Sequence, residues 1–212
     1  EINRAPAKVQ SALLEVMQER QVTLGDESFQ LSPPFLVMAT QNPIENEGVY
    51  PLPEAQLDRF MLKINVAYNT PEEELIIARR IASKVSGVIN AIIDFEILEQ
   101  LKENVQSLYI DGEVEKYMIN LVHATREPEL FGLEKIKNYL QFGASPRVSI
   151  DMFKAVKAVA FLKDKTFVTP SDVISIAKEL MRHRLVLSYE AEAEGISTDE
   201  IIEMIIKAVP IP

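Results

Sequence analysis

The chain has 212 residues, of which 47% are hydrophobic and 25% charged, so it is long enough for one large domain or two small ones with a real core. Its net charge of −10 argues against a broad basic surface, and therefore against nucleic acid as the main partner. The absence of cysteine excludes disulfides and thiolate metal sites, and the two histidines, His123 and His183, lack metal-ligand spacing, so no metal-ligating residue is predicted.

The sequence shows neither a membrane span nor an export signal. No apolar run approaches the ~18 residues that a bilayer requires, and the N-terminus lacks the basic, apolar and small-residue pattern of a signal peptide. We therefore expect a cytoplasmic protein without membrane insertion. The first residue is Glu1 rather than methionine, so we also expect a part of a longer chain.

Residues 1 to about 68 are predicted to be mixed α/β. A helix is expected from Pro6, because proline suits a first helical turn and the apolar residues after it have helical spacing. Those apolar residues are Val9, Ala12, Leu13, Val16 and Met17. Residues 21–31 alternate apolar and polar side chains on either side of Gly25-Asp26, which predicts a β-hairpin.

Two further apolar runs in this part predict strands. Residues 35–39 form the short, continuous apolar run that is typical of a buried central strand. Residues 60–66 predict a second strand. Between them, residues 40–53 predict a polar loop, and residues 54–59 predict one or two helical turns.

From about residue 70 the pattern is helical. Thr70-Pro71 provides a cap and a proline before acidic residues, and Ser145-Pro146 begins a helix that runs to about residue 163. Residues 127–144 are predicted to be loop or weak structure. Further helices are expected over residues 94–107, 112–126, 169–184 and 198–208.

The simplest architecture is a remnant of an α/β layer followed by an all-α domain. Six sequence blocks, taken in order, resemble MoxR-family AAA+ ATPases. The first begins with the glutamate that ends the family's Walker B motif. The blocks are residues 1–15, 17–22, 39–43, 50–60, 143–147 and 183–191. The resemblance implies the C-terminal part of a P-loop αβα core over residues 1–68, with the hairpin as an insert before sensor 1, and a helical lid over residues 69–212.

Glu1 and Asn42 match two residues of the family's ATP site. Glu1 matches the catalytic glutamate, which activates the attacking water while Mg²⁺ and positive groups hold the phosphates. Asn42 follows the predicted strand 35–39 and matches sensor 1, an amide that orients this water or contacts the γ-phosphate. From the residues alone, a charged terminal residue and an Asn-Pro turn remain the alternatives.

Arg59 lies in a Leu-Asp-Arg-Phe block and resembles an arginine finger. Its guanidinium is always charged and, supplied by a neighbouring subunit, would couple hydrolysis to assembly. The alternative is an ion pair with Asp58 or Glu54 on a solvated face. Arg4 and Arg126 also belong to matching segments, but either is equally explained as an ordinary surface ion pair.

Arg147 matches the family's sensor 2. Ser145 as a cap and Pro146 at the first position place it in the first helical turn, where a cation opposes the helix dipole. A nearby anion would explain this position, because helix N-termini bind phosphate. The alternative is an ion pair with Glu134 or Asp151.

The phosphate-binding motif G-x-x-x-x-G-K-[ST] does not occur in the 212 residues, and neither does a Gly-Lys pair. The resemblance implies ATP and Mg²⁺ as cofactors, with the phosphate-binding loop and the Walker B aspartate upstream. We therefore expect the 212-residue chain alone to be inactive and the full-length protein to be an ATPase.

The resemblance further implies a ring oligomer, a hexamer, with a chaperone-like role. Its clients would be proteins that it remodels or activates, including proteins with von Willebrand factor A domains. Two alternatives remain: a chelatase subunit or DNA-linked motor of the same branch, and a non-enzymatic, nucleotide-independent adaptor. The net negative charge weighs against the DNA motor. The adaptor is disfavoured because all four candidate site residues are present: Glu1, Asn42, Arg59 and Arg147.

Overall fold

The structure, a computed structural model, describes residues 1–42, 49–83 and 89–212. Residues 43–48, which belong to the predicted polar loop, lie outside the described residues. The chain forms two compact units, one comprising Glu1–Lys63 and Leu108–Pro212 and the other Ile64–Ser107. Among the helices of the described stretches, none is long and apolar enough to cross a bilayer.

The N-terminal part of the first unit contains the predicted helix and hairpin. Its elements are a 3-10 helix Ile2–Arg4, α1 Ala7–Glu19, β1 Gln21–Leu24, β2 Glu27–Gln30 and α2 Glu54–Leu57. The two strands pair antiparallel, with Leu24 opposite Glu27. Gly25 in the turn has a φ of 66°, a left-handed conformation that glycine adopts without steric cost. The predicted hairpin is therefore confirmed.

The two predicted strands over residues 35–39 and 60–66 are wrong. Neither segment has strand structure, and Leu36 and Met38 are 79% and 85% exposed. A strand requires a partner that takes its backbone hydrogen bonds. These segments instead receive isolated bonds, such as the one from Ile2 N to Thr40 O next to the first segment.

The second unit holds two helices, α3 Pro71–Ala82 and α4 Phe95–Ser107. Thr70 caps α3 as predicted: its hydroxyl accepts a hydrogen bond from Glu73 N, and the Glu73 carboxylate accepts one from Thr70 N. Both predicted helices of this part are confirmed.

The C-terminal part of the first unit is mainly helical and carries the core. Its elements are α5 Gly112–His123, a 3-10 helix Pro128–Phe131, α6 Glu134–Tyr139, β3 Leu140–Phe142, α7 Pro146–Leu162, α8 Pro170–Met181, β4 Val186–Leu187, α9 Tyr189–Glu194 and α10 Thr198–Ala208. Apolar side chains from α5, α7, α8 and α10 are buried together. They include Met118, Leu121, Val148, Met152, Leu180, Ile201 and Ile205.

Residues 127–144 are more ordered than the sequence predicts. They contain a 3-10 helix, α6 and β3, and β3 pairs antiparallel with β4, Leu140 lying opposite Leu187. The prediction of a loop missed β3 because its partner strand lies more than 40 residues further along the chain, and a local sequence pattern does not reveal such a partner. Leu140 and Leu187 of this pair pack against the helical core.

Candidate functional site

Glu1 and Asn42 lie on two segments that are joined by backbone hydrogen bonds. Ile2 N donates to Thr40 O over 2.9 Å, two residues before Asn42. The Glu1 carboxylate lies 2.8 Å from Nε of Arg4, three residues along the chain. Arg4, one of the weaker candidates, therefore contacts the candidate catalytic carboxylate directly.

A buried glutamine of α1 reinforces this junction. The side-chain amide of Gln10 donates to Ile2 O over 3.2 Å and to Tyr50 O over 3.0 Å, and Tyr50 N donates to Asn3 O over 2.6 Å. Gln10 is 2% exposed. The amphipathic helix α1 thus presents a buried glutamine that holds the start of the chain against the segment after Asn42.

Arg59 follows α2 and carries unsatisfied hydrogen-bond donors. Within the described stretches, its Nε and Nη1 atoms are buried and have no hydrogen-bond partner. Among the described residues, Arg59 forms an ion pair with neither Asp58 nor Glu54; the ion pairs of Asp58 are with Arg147 and Arg184. A guanidinium is always charged, so buried N–H groups without an acceptor are costly unless an anion or water takes them.

Asp58 is the centre of the site. Its carboxylate accepts hydrogen bonds from the Ser145 hydroxyl at 2.7 Å and from Arg147 Nη1 at 2.9 Å, and Arg184 Nε lies 3.2 Å away. Partial burial opposes ionisation of this carboxyl. The two hydrogen bonds and the charges of Arg184 and Arg147 outweigh burial and hold the pKa of Asp58 below its ordinary value.

Arg147 lies in the first turn of α7, as predicted. Ser145 caps that helix by accepting a bond from Arg147 N over 3.2 Å, while its hydroxyl hydrogen goes to Asp58. The structure therefore corrects the alternative partners expected for Arg147: its ion pair is with Asp58, not with Glu134 or Asp151. That pair spans 89 sequence positions, and no local pattern indicates it.

The loop before Ser145 is held by the end of α5. Ala144 N donates to the Thr125 hydroxyl over 2.9 Å, and Arg126 Nε donates to Ala144 O over 2.7 Å. A β-carbon on Gly143 would lie 2.7 Å from the carbonyl carbon of Thr125, closer than any ordinary contact. The start of α7, and with it Arg147, is thus fixed by backbone packing as well as by hydrogen bonds.

Sequence reasoning missed a clamp formed by three consecutive residues after α8, Arg182, His183 and Arg184. Arg182 Nη1 donates to Lys63 O over 3.0 Å, and His183 Nε2 lies 2.9 Å from Phe60 O. Arg184 Nη2 donates to the carbonyl oxygens of residues 58 and 60 and, over 2.6 Å, to Asp151. The only sequence signal was a run of three basic residues directly after an apolar helix, which is unusual because all three are buried.

The contacts of the four candidate residues fall into two groups. Glu1 and Asn42 are on one pair of joined segments, whereas Arg147 contacts Asp58, the residue that precedes Arg59 in the chain. In residues 1–42, 49–83 and 89–212, no three His, Asp or Glu side chains are grouped closely enough to hold a metal ion. The donors of Arg59 and Arg147 are of the type that phosphate oxygens accept.

Comparison with known proteins identifies the family of the chain. A model of the ATPase family associated with various cellular activities (AAA) matches residues 1–62, and a model of the AAA lid domain matches residues 134–205. Chaperone MoxR1 of Mycobacterium tuberculosis is 47% identical over the whole chain, and YeaC of Bacillus subtilis is 40% identical. The chain belongs to the MoxR family of AAA+ ATPases.

This MoxR-family chain spans 56% of the length of MoxR1 and 64% of that of YeaC. A solved structure of a candidate ATPase from Cytophaga hutchinsonii matches all of it with a TM-score of 0.95 and 47% identity, and 64% of that protein is covered. The predicted fold class is confirmed: part of an AAA+ core is followed by a helical lid.

Proposed function

We propose that the full-length protein is an ATPase that couples ATP hydrolysis to chaperone-like remodelling or activation of partner proteins. Membership of the MoxR family supports this, as does the similarity to the chaperone MoxR1. Two structural observations support it: Arg147 projects a half-exposed guanidinium from the first turn of α7, and two buried N–H groups of Arg59 are unpartnered in the described part of the chain.

The proposed roles follow from the chemistry of each side chain. The Glu1 carboxylate accepts a proton from the attacking water, and the Asn42 amide orients that water. Arg147 holds phosphate oxygens from the lid, and Arg59 does so from a neighbouring subunit. MgATP supplies the phosphoryl group and the metal charge, with its phosphate-binding loop contributed by sequence beyond the 212 residues. We place the core portion at residues 1–68 and the lid at 69–212.

The assembly and the clients are part of the same proposal. An arginine supplied by a neighbouring subunit acts only where subunits meet, so the proposed active form is a ring, and we propose a hexamer in the cytoplasm. Its clients are proteins, including those with von Willebrand factor A domains. The charge of −10 disfavours nucleic acid as the substrate. Residues 1–212 alone are proposed to be inactive.

The test is MgATP hydrolysis by the full-length protein, comparing wild type with Glu1→Gln. We expect wild type to turn over, and Glu1→Gln to bind ATP while its turnover falls by about 100-fold or more. Glu19→Gln, an exposed glutamate of α1, is the matched control and retains wild-type turnover. If wild type binds ATP without hydrolysing it at concentrations that favour rings, the protein is an adaptor and the enzymatic proposal is wrong.

A further inference from the structure

Asp58 has two arginine partners that differ sharply in exposure. The side chain of Arg184 is 1% exposed, whereas that of Arg147 is 47% exposed, and Asp58 itself is 16% exposed. Both guanidinium groups contact the same carboxylate, Arg147 at Oδ2 and Arg184 at Oδ1. One partner is therefore enclosed by protein and the other faces solvent.

Arg184 is a permanent partner. Besides Asp58, it bonds to Asp151 and to three carbonyl oxygens, those of residues 58, 60 and 180. Removing it from these acceptors would leave several buried groups unsatisfied, which makes its departure costly.

Arg147 can leave Asp58 at little cost. Half of its side chain is already solvated, and its one ion pair in the described residues is with Asp58. After its departure, the Asp58 carboxylate keeps the hydroxyl of Ser145 and the charge of Arg184, so no buried charge is orphaned. Because the Arg147 side chain is half exposed, its pair with Asp58 is weak enough for another anion to compete with it.

We propose that Asp58 is a positioning residue that holds Arg147 in the nucleotide-free protein and releases it to a phosphate group when nucleotide binds. This proposal rests on the proposed function, because it requires a phosphate near the start of α7. The carboxylate and the phosphate compete for one guanidinium, so Asp58 lowers nucleotide affinity. In return, it keeps the Arg147 guanidinium in one position between turnovers.

A double-mutant cycle on the full-length protein tests this exchange, in which Arg147 leaves Asp58 for a phosphate group. The measured quantity is the affinity for the β,γ-imido analogue of ATP with Mg²⁺, in wild type, Asp58→Asn, Arg147→Gln and the double variant. Asp58→Asn should tighten binding about two- to fivefold, the range expected when the competing ion pair has one solvent-exposed partner. In the Arg147→Gln background the same substitution should leave the affinity unchanged.

Asp151→Asn is the matched control, because it removes a carboxylate from Arg184 without touching Arg147. Any effect of Asp151→Asn on nucleotide affinity should be the same in the wild-type and the Arg147→Gln backgrounds. If Asp58→Asn is unfolded by circular dichroism, Asp58→Ser takes its place in the cycle, since a hydroxyl still serves Ser145.

The outcomes separate the two proposals. An affinity gain that requires Arg147 supports the exchange. An equal effect in both backgrounds, or no effect at all, overturns the exchange and makes Asp58 purely structural, while the ATPase proposal stands. If wild type binds no nucleotide, both proposals fail together.

Discussion

The imidazole of His183 lies 2.9 Å from the carbonyl oxygen of Phe60, a contact between residues 123 positions apart. A carbonyl can only accept, so Nε2 carries the hydrogen and the neutral ring has its lone pair on Nδ1. In the part of the chain that the structure describes, Nδ1 is buried without a hydrogen-bond partner. Protonation would place a charge and an unpartnered N–H inside the clamp.

The stability of the protein should therefore fall in mild acid. Burial, reinforced by the charges of Arg184 and Lys63, lowers the pKa of His183 to about 4, although its bond to Phe60 and the charge of Asp58 oppose this. Because the unfolded pKa is about 6.5, the unfolded chain binds the proton first. Stability is then fully present above pH 6.5 and is lost as the pH falls toward 4.

We expect the protonation of His183 to lower the free energy of unfolding by about 2 kcal/mol between pH 7 and pH 5. Urea unfolding followed by circular dichroism measures it, and His183→Gln, which keeps a donor for Phe60, should abolish most of the loss. His123 is exposed, so His123→Gln should leave the loss of stability between pH 7 and pH 5 unchanged. Equal pH dependence in wild type and His183→Gln would contradict the assignment.

Replacement of Arg184 by methionine should destabilise the protein strongly. The substitution leaves Asp58 and Asp151, both mostly buried, without their shared cation. Loss of one partner from a buried ion pair typically costs about 3–5 kcal/mol. In the same urea assay, Lys116→Met removes an exposed ion pair with Glu113 and should cost less than about 1 kcal/mol. Similar losses for the two variants would show that the buried ion pairs of Arg184 contribute no more to stability than an exposed ion pair does.

Gly143→Ala should destabilise the protein by about 1–3 kcal/mol, because the new methyl group meets the backbone of Thr125 rather than a movable side chain. Gly112 in the first turn of α5 has open space where its β-carbon would be, so Gly112→Ala should be neutral or stabilising by up to about 1 kcal/mol. Equilibrium unfolding of both variants checks this. A harmless Gly143→Ala would mean that the loop before Ser145 is free to shift.

The proposed action of Arg59 between subunits predicts complementation. Full-length Arg59→Ala and Glu1→Gln should each be inactive, yet an equal mixture should regain up to about a quarter of wild-type hydrolysis, since that share of random interfaces pairs intact residues. Arg79→Ala, an exposed arginine of α3, should be active alone. A mixture that stays inactive after subunit exchange would argue that Arg59 acts within its own subunit.

Local signals in the sequence predicted the elements that depend on local chemistry. Thr70 and Ser145 begin α3 and α7 because a side-chain oxygen takes free backbone N–H groups, and Gly25 permits the hairpin turn. The apolar runs 35–39 and 60–66 were misassigned because a strand depends on partners that lie elsewhere. The short β3–β4 pair was missed for the same reason.

The candidate site shows the same division. Glu1, Asn42, Arg59 and Arg147 came from resemblance, and their roles remain predictions. Asp58 was considered only as a neighbour of Arg59, because adjacency is visible in a sequence and a contact across 89 positions is not. The buried basic run after α8 was likewise invisible, since its acceptors are backbone carbonyls that any sequence would provide.

The clamp after α8 also restricts how this stretch can vary in length. Arg182, His183 and Arg184 reach their acceptors from consecutive positions, so their spacing is fixed by the backbone rather than by side-chain reach. Inserting or deleting one residue directly after α8, before Arg182, would displace all three at once, whereas a single substitution removes one. Among relatives, we therefore expect gaps to be excluded from this stretch even where its residues differ.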